Sequence, residues 1–359
     1  MKRILFIHHK ISYGGANKML SFMANSLVEN GFNVSIVTYA SSKLPELYLD
    51  RRIEVITSNN SKNSFLKRFQ HIFLILSVVK KVRPNLIFTL MSTNSLYGYI
   101  SKLIYGIPLL VSERGDPSKE SGWFSKLKHF FMNKADYAIF QTEGAKSFFS
   151  DSLQKKSIII PNPVLLNNYQ SAVSWENKLN EISFVGRFEL RQKRHDLMLL
   201  ALREISIDFP EIKLNFYGDG EDVNYVRMLV KKLSLSNNVC FKGRVDNVLA
   251  EIDKNKYFVL ASDYEGIPNS LIEAMSLNTL CISTDCDPGG AKLLINNEHN
   301  GFLVPKGDYF AIANVIKAML NDDARAKDIA YNSSEINEIF SEDKIKNSFL
   351  NYMKSITEI

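Results

Sequence analysis

From Ile182 onward the chain repeats one local pattern: an apolar strand-like run, a turn carrying glycine with a polar or charged group, then a helical stretch. The turns are Gly186-Arg187, Tyr217-Gly218-Asp219-Gly220, Phe241-Lys242-Gly243-Arg244 and Tyr264-Glu265-Gly266-Ile267-Pro268. One Gly-x-Gly turn says little, because many turns contain one. Their serial order constrains the fold strongly. Strands alternating with helices build an open parallel α/β sheet, and such a sheet assembles its site at the carboxyl ends of the strands, where these turns lie.

The turn residues have the chemistry of a phosphorylated, hydroxyl-rich ligand. After Tyr257-Phe258-Val259-Leu260-Ala261 come Glu265, Gly266, Ile267, Asn269, Ser270, Leu271 and Glu273. Asn269 or Ser270 is a plausible N-cap, and backbone N–H groups at a helix start attract phosphate. Glu273 falls near the first helical turn, where its carboxylate can accept two hydrogen bonds from vicinal ribose hydroxyls. Glu265, in the turn, lies where a sugar on that phosphate would sit. The competing explanation is that both acids complement a helix dipole. Gly186 allows close approach to the backbone. Arg187 can fork onto phosphate oxygens, and Lys193 adds a point charge. Two cations can neutralise a leaving diphosphate without a metal, so no metal or cofactor is expected. Arg191 and Arg194 are also basic, and a solvated basic turn is the alternative there.

Taken together, the half from about Ile182 to Leu320 resembles the retaining glycosyltransferases of family 4. The matching residues are Val185-Gly186-Arg187, Gln192-Lys193, the Gly218 turn, Phe241-x-Gly243, the Glu265 and Glu273 pair, and Ser283-Thr284-Asp285-Cys286-Asp287-Pro288-Gly289-Gly290. The resemblance implies the GT-B fold, two Rossmann-like domains facing a central cleft. It implies that Arg187 and Lys193 bind the donor diphosphate, that Glu273 holds the ribose and that Glu265 lies by the transferred sugar. It points to uracil as the base. The family places an acid after the glycine pair; here Ala291-Lys292-Leu293 follows, which argues against an acidic sugar contact from that loop.

The amino-terminal half reads as a first strand, Lys2–Ile7, then His8, His9, the pair Gly14-Gly15 and a helix through Met19, Phe22, Met23 and Leu27. This is similar to the family's first strand and Gly-Gly loop, where backbone approaches donor phosphates or acceptor. It is not a dinucleotide fingerprint, whose Gly-x-Gly-x-x-Gly spacing is absent. His8 and His9 are read as backbone-capping groups rather than a catalytic base. Glu113 and Arg114, after the strand Leu109–Ser112, stand where the family often has a histidine; they resemble the subset acting on amino-sugar polyprenyl-diphosphate acceptors. A local ion pair is the alternative.

With 359 residues, two domains are expected: 1–163, 164–340, and a final helix, 341–359, returning to the first. Pro161 and Pro163 mark the boundary. Net charge is +6 without a basic tail, which argues against nucleic acid. Cys240, Cys281 and Cys286 have neither zinc nor redox spacing and suit a reducing compartment. No signal peptide and no transmembrane-length apolar run is visible. Two segments fit a basic interfacial helix. In the first, Phe65, Phe69, Ile72, Phe73, Leu76 and Val79 form a stripe with Lys67 and Arg68 nearby, and packing on the sheet is the preferred reading. In the second, Trp123, Leu127, Phe130 and Phe131 form a face beside Lys126, Lys128 and His129, and the membrane is preferred.

The expectation is a cytoplasmic enzyme, peripheral on the inner face of the membrane. It would move a sugar from a nucleoside-diphosphate sugar (UDP-hexose or UDP-N-acetylhexosamine) to a polyprenyl-linked saccharide with retention of configuration. The alternatives are a sugar-nucleotide epimerase of the same fold and a non-catalytic nucleotide-sugar-binding protein.

Overall fold

The computed structural model describes residues 2–11, 14–40, 49–57, 64–119, 122–166, 169–171 and 173–358, with the backbone alone for 64–68. The chain forms two compact units, Met1–Asn162 with Asp343–Ile359, and Pro163–Glu342.

In the first unit the strands are β1 (Arg3–His8), β2 (Asn33–Thr38), β3 (Glu54–Thr57), β4 (Leu86–Leu90), β5 (Leu109–Ser112), β6 (Tyr137–Phe140) and β7 (Ser157–Ile159). They make one parallel sheet in the order β3-β2-β1-β4-β5-β6-β7. Its helices are α1 (Gly15–Glu29), α2 (Ser64–Val82), α3 (Ser95–Tyr105), α4 (Trp123–Asn133), α5 (Glu143–Ser147) and α6 (Asp151–Gln154). β1 and β4 are buried along almost their whole length, as continuous Ile/Leu/Phe runs require when helices cover both faces.

The second unit has β8 (Leu179–Val185), β9 (Lys213–Tyr217), β10 (Val239–Gly243), β11 (Asn255–Leu260), β12 (Leu280–Asp285) and β13 (Phe302–Pro305), again all parallel, in the order β10-β9-β8-β11-β12-β13. Its helices are α7 (Leu190–Lys193), α8 (His195–Asp208), α9 (Val223–Lys232), α10 (Val248–Asp253), α11 (Asn269–Ser276), α12 (Gly290–Leu294), α13 (Tyr309–Asn321), α14 (Asp323–Asn332) and α15 (Ile336–Ile339). The last helix, α16 (Glu342–Thr357), packs on the first unit: Phe349 faces Phe88 at 6.5 Å and the Tyr352 hydroxyl donates to the Lys156 carbonyl at 2.9 Å. The expected α/β class with two Rossmann-like parallel sheets is what forms.

Two helix readings need correction. α2 packs through Ile75, Val78 and Val79, while Phe69 and Phe73 face solvent, so the apolar residues divide between two faces instead of forming one stripe. Phe65, Lys67 and Arg68 lie outside the described side chains. On α4, Leu127 and Phe131 are half-buried and His129 is buried against Phe148 and Phe149. The exposed aromatics are Trp123, Phe124 and Phe130. Helix spacing alone leaves the angular position of a stripe free; contact with α3 sets it. No helix among the described residues is long and apolar enough to cross a membrane.

Candidate functional site

In each sheet the strand order reverses once, between β1 and β4 in the first and between β8 and β11 in the second. Open α/β sheets bind ligands at such switch points, outside the carboxyl ends of the strands. In the second unit the residues following β8 and β11 meet there. Lys193 Nζ contacts Glu265 Oε1, and both side chains are largely buried. Ser262 Oγ donates to the same carboxylate oxygen at 2.7 Å, and Gln192 Nε2 donates to the Tyr264 carbonyl at 3.2 Å.

Glycine is required where the loops cross. A Cβ on Gly218 would lie 2.0 Å from the Gly186 carbonyl oxygen, and one on Gly290 would lie 1.7 Å from the Gly266 carbonyl oxygen. Real side chains do not fit at these separations, so at these two points the loops after β8 and β9, and those after β11 and β12, meet through bare backbone. Backbone bonds lace them further: Gly186 N–H to Tyr217 O at 3.0 Å, Gly218 N–H to Gly243 O at 2.8 Å and Glu265 N–H to Asp287 O at 3.0 Å. The Lys193 stem lies 3.3 Å from where a Gly186 Cβ would be, closer than an ordinary contact, so Gly186 makes room for it.

Four nearby cations had equal standing in the sequence, and their surroundings separate them. Lys193 faces Glu265. Arg194 is held by Asp196 and Asp263. Arg187 is 68% exposed, 3.4 Å from Glu189, and Arg191 is exposed. Arg187 is therefore able to reach an incoming anion, whereas Arg194 is committed. Arg244, after the edge strand β10, is exposed.

The expected N-cap is not made. α11 starts at Asn269 with Pro268 in the capping position and no side-chain cap, so Asn269 and Ser270 are helical residues. Proline's fixed φ suits the entry to a helix, and its missing N–H costs nothing there. Glu273 accordingly sits one turn in, buried beside Leu271, Ile272 and Ala274. Gly266 and Ile267 are buried where α12 begins.

The chain also carries one Asp-x-Asp triplet, Asp285-Cys286-Asp287, which the expectation of metal independence left out of account. Its carboxylates face Lys292 at 3.8 Å and Lys306 at 3.7 Å. Among the described residues no group of three His, Cys, Asp or Glu is placed to hold a metal ion. All three cysteines are free; burial, with Glu265 beside it, pushes the Cys286 thiol up to about 12.

In the first unit Gly14 precedes α1 at φ 133°, a conformation that disfavours any side chain, and Gly15 is the first residue of that helix. Glu113 Oε1 accepts from the N–H groups of Arg114 and Gly115 at 2.8 and 2.9 Å, so it closes its own loop. The Arg114 guanidinium donates to Asn162 Oδ1 at 3.2 Å and reaches Met23 Sδ on α1 at 3.5 Å. His8 is buried, with Nε2 3.2 Å from Asn17 Oδ1, and desolvation lowers it to about 4. Ser262, Asp263 and Arg194 were missed as site residues by sequence reasoning. The only signal was position, the polar residues directly after the apolar run of β11 and directly after Lys193.

His195 is fully buried, stacked on Phe188 at 4.2 Å beside Phe184 and Phe216, and burial lowers it to about 3. Both it and His8 stay neutral in the native protein, whereas the unfolded chain takes up protons near pH 6.5. Their contribution to stability is complete above about pH 6.5 and is lost as pH falls toward 4 and then 3. The urea midpoint should therefore fall between pH 7 and pH 4.5, with a shallower slope in His195→Gln. Identical slopes in the two proteins would show that His195 is not held neutral.

Comparison with known proteins gives the family. Residues 167–336 match the family described as glycosyl transferases group 1, and residues 13–167 match glycosyltransferase family 4. A Campylobacter jejuni GalNAc-α-(1→4)-GalNAc-α-(1→3)-diNAcBac-PP-undecaprenol α-1,4-N-acetyl-D-galactosaminyltransferase is 27% identical over 368 aligned positions, covering 100% of this chain and 99% of that protein. An uncharacterized glycosyltransferase of Methanocaldococcus jannaschii is 30% identical over 68% of this chain and 67% of its own length. Anabaena HepE, crystallised in complex with UDP-glucose, superposes with a TM-score of 0.85 over 99% of this chain and 100% of its own, at 18% identity. The chain belongs to the group 1, family 4 glycosyltransferases, with the GT-B architecture of two Rossmann-like domains.

Proposed function

We propose that this glycosyltransferase moves a sugar from a UDP-sugar, with retention of configuration, onto a saccharide carried by a polyprenyl diphosphate at a membrane surface. The carrying observation is the Lys193–Glu265 pair at the β8/β11 switch point, ringed by loops whose tightest approaches leave room for glycine alone at positions 218 and 290. In this reading Lys193 and the exposed Arg187 neutralise the diphosphate, and Glu273 accepts from the ribose hydroxyls. Glu265, released when Lys193 turns to phosphate, faces the transferred sugar. Gly186, Gly218, Gly266, Ile267, Asn269, Ser270 and Leu271 give backbone contacts to the donor, and Arg244 borders the base. Gly14, Gly15, Glu113 and Arg114 serve the donor phosphates or the acceptor. The departing diphosphate takes the proton of the attacking hydroxyl on the same face of the sugar, so configuration is kept without a protein nucleophile. The lipid-linked acceptor is supported by the Campylobacter relative, whose acceptor is an undecaprenyl-diphosphate saccharide.

A thermal-shift screen of UDP-glucose, UDP-galactose, UDP-N-acetylglucosamine and UDP-N-acetylgalactosamine tests the donor class. A true donor raises the melting temperature with the logarithm of its concentration, and no shift from any of the four contradicts the reading. Turnover of the UDP-sugar into its epimer without any acceptor would indicate an epimerase instead.

Glu273→Ala should weaken UDP-sugar binding about tenfold to a hundredfold, since hydrogen bonds to a charged group are worth roughly 1.5–3 kcal/mol. Calorimetry on the folded variant measures this, and unchanged affinity would remove Glu273 from the site.

The membrane contact is supported by α4. Trp123 is 73% exposed, next to exposed Phe124, Phe130 and Lys126, with Lys128 over the Phe124 ring and Lys134 over the Phe130 ring. Aromatics flanked by lysine suit the headgroup level of an anionic bilayer at its cytoplasmic face. Lys126→Glu with Lys128→Glu should reduce binding to phosphatidylglycerol vesicles, by about 1 kcal/mol for each lysine. It should slow transfer to a long-chain polyprenyl acceptor while sparing a short soluble analogue. Equal effects on both acceptors with vesicle binding unchanged would sink the membrane contact.

A further inference from the structure

Arg194 is the single residue between α7 and α8, and it holds the left-handed conformation, φ 54° and ψ 48°. Glycine adopts that conformation freely; a long side chain there is strained. The guanidinium shows what the side chain adds. Its NH1 donates to both carboxylate oxygens of Asp263 at 3.1 Å, its NH2 to Asp196 at 3.0 Å, and its Nε to Asp196 at 3.1 Å. The three side chains are all about one-quarter exposed, so the cluster is shielded on most sides.

The position of this cluster matters more than its strength. Arg194 follows Lys193 directly, and Asp263 stands two residues before Glu265. The Asp263 N–H also donates to the Gln192 carbonyl at 2.8 Å. The loop after β8 and the loop after β11 are thus stapled at the residues flanking the Lys193–Glu265 pair. A planar fork that binds two carboxylates at once fixes direction as well as distance, which a lysine could not do. We propose that Arg194 is a positioning residue for sugar transfer: clamped between Asp196 and Asp263, it sets where Lys193 stands relative to Glu265. This rests on the diphosphate-site reading given above. When Lys193 leaves Glu265 for phosphate, the clamp keeps the two backbones in register, so the reacting groups keep their geometry.

Arg194→Gly tests this cleanly, because glycine accepts the backbone conformation and only the clamp is lost. The assay is UDP release from whichever of the four screened UDP-sugars gives the largest thermal shift. The expected result is a tenfold to hundredfold fall in kcat, the cost that a misplacement of about 1 Å can bring. UDP affinity should stay within about threefold and the melting temperature within a few degrees, the range of a minor change. Asp263→Asn, which leaves the backbone untouched, should reproduce the fall even if Arg194→Gly folds poorly. The double variant should be no slower than the worse single one, because both break the same clamp. A kcat for folded Asp263→Asn within about twofold of the parent, or losses that multiply in the double variant, would overturn the inference. Lys193→Met separates the two readings. If it too keeps the parent rate, the diphosphate site itself is wrong; if it is slow while Asp263→Asn is not, only the positioning role falls.

Discussion

Lys193→Met should lower kcat for sugar transfer by about a hundredfold to a thousandfold, the usual loss when one preorganised group facing developing charge is removed. Methionine keeps the stem that fills the space above Gly186, so packing changes little while the charge disappears. The effect is large because Lys193 is shielded: its side chain is 14% exposed, and a charge in such surroundings acts through a lower effective dielectric than one in water. Arg187, 68% exposed, should give a smaller loss when changed to alanine. The ranking is itself informative, since the two residues are equal on charge. Steady-state UDP release on folded variants measures it. A kcat for Lys193→Met within about threefold of the parent would remove Lys193 from the reaction.

Lys178→Met should cost about 3–5 kcal/mol of stability, because it strips the partner from a buried carboxylate. Lys178 Nζ donates to Asp253 Oδ1 at 2.9 Å, to the Asp253 carbonyl at 2.7 Å and to the Leu277 carbonyl at 3.0 Å, and both side chains are essentially inaccessible. Burial alone pulls the Lys178 ammonium down from its ordinary range, and the Asp253 carboxylate opposes that pull. The Tyr169 hydroxyl and Ser171 Oγ complete the cluster by donating to Asp253 at 3.0 and 2.8 Å. One ammonium thereby ties the entry of β8 to the end of α10 and to Leu277, which caps α11, the helix that carries Glu273. Urea unfolding should show the loss, and adding Asp253→Asn should recover part of it by removing the stranded charge. A midpoint equal to the parent's would mean that the cluster is dispensable.

The pattern of the chain reveals the sheets but not the wiring between their loops. Apolar runs such as Tyr257–Ala261 identify buried strands, because helices on both faces leave no polar alternation. The glycines at 186, 218 and 290 can be picked out as turn residues. Their partners cannot: that Gly218 meets the Gly186 carbonyl, and Gly290 the Gly266 carbonyl, depends on strands far apart in sequence becoming neighbours. The same limit explains the misplaced cap. Asn269 and Ser270 are good capping types, yet Pro268 occupies the capping position. On α4 the spacing of Trp123, Leu127, Phe130 and Phe131 suggests one face, whereas packing beside α3 turns Leu127 and Phe131 inward and leaves Phe124 out.

What the sequence by itself determined is the kind of site this protein carries. Parallel α/β units follow from local periodicity, and the placement of Arg187, Lys193, Glu265 and Glu273 in the turns and helix segments that follow the strands follows from the units, because a side chain's place along its own element is a short-range property. What only the tertiary structure decided is how several equal charges are partnered. Arg191, Lys193 and Arg194 are indistinguishable as cations. One is exposed, one faces Glu265 and one is clamped by Asp196 and Asp263, because β8 and β11 are neighbours in the sheet while about seventy residues separate them in the chain. Burial and partnership set what a charge can do, and both arise from contacts that no local stretch of sequence contains.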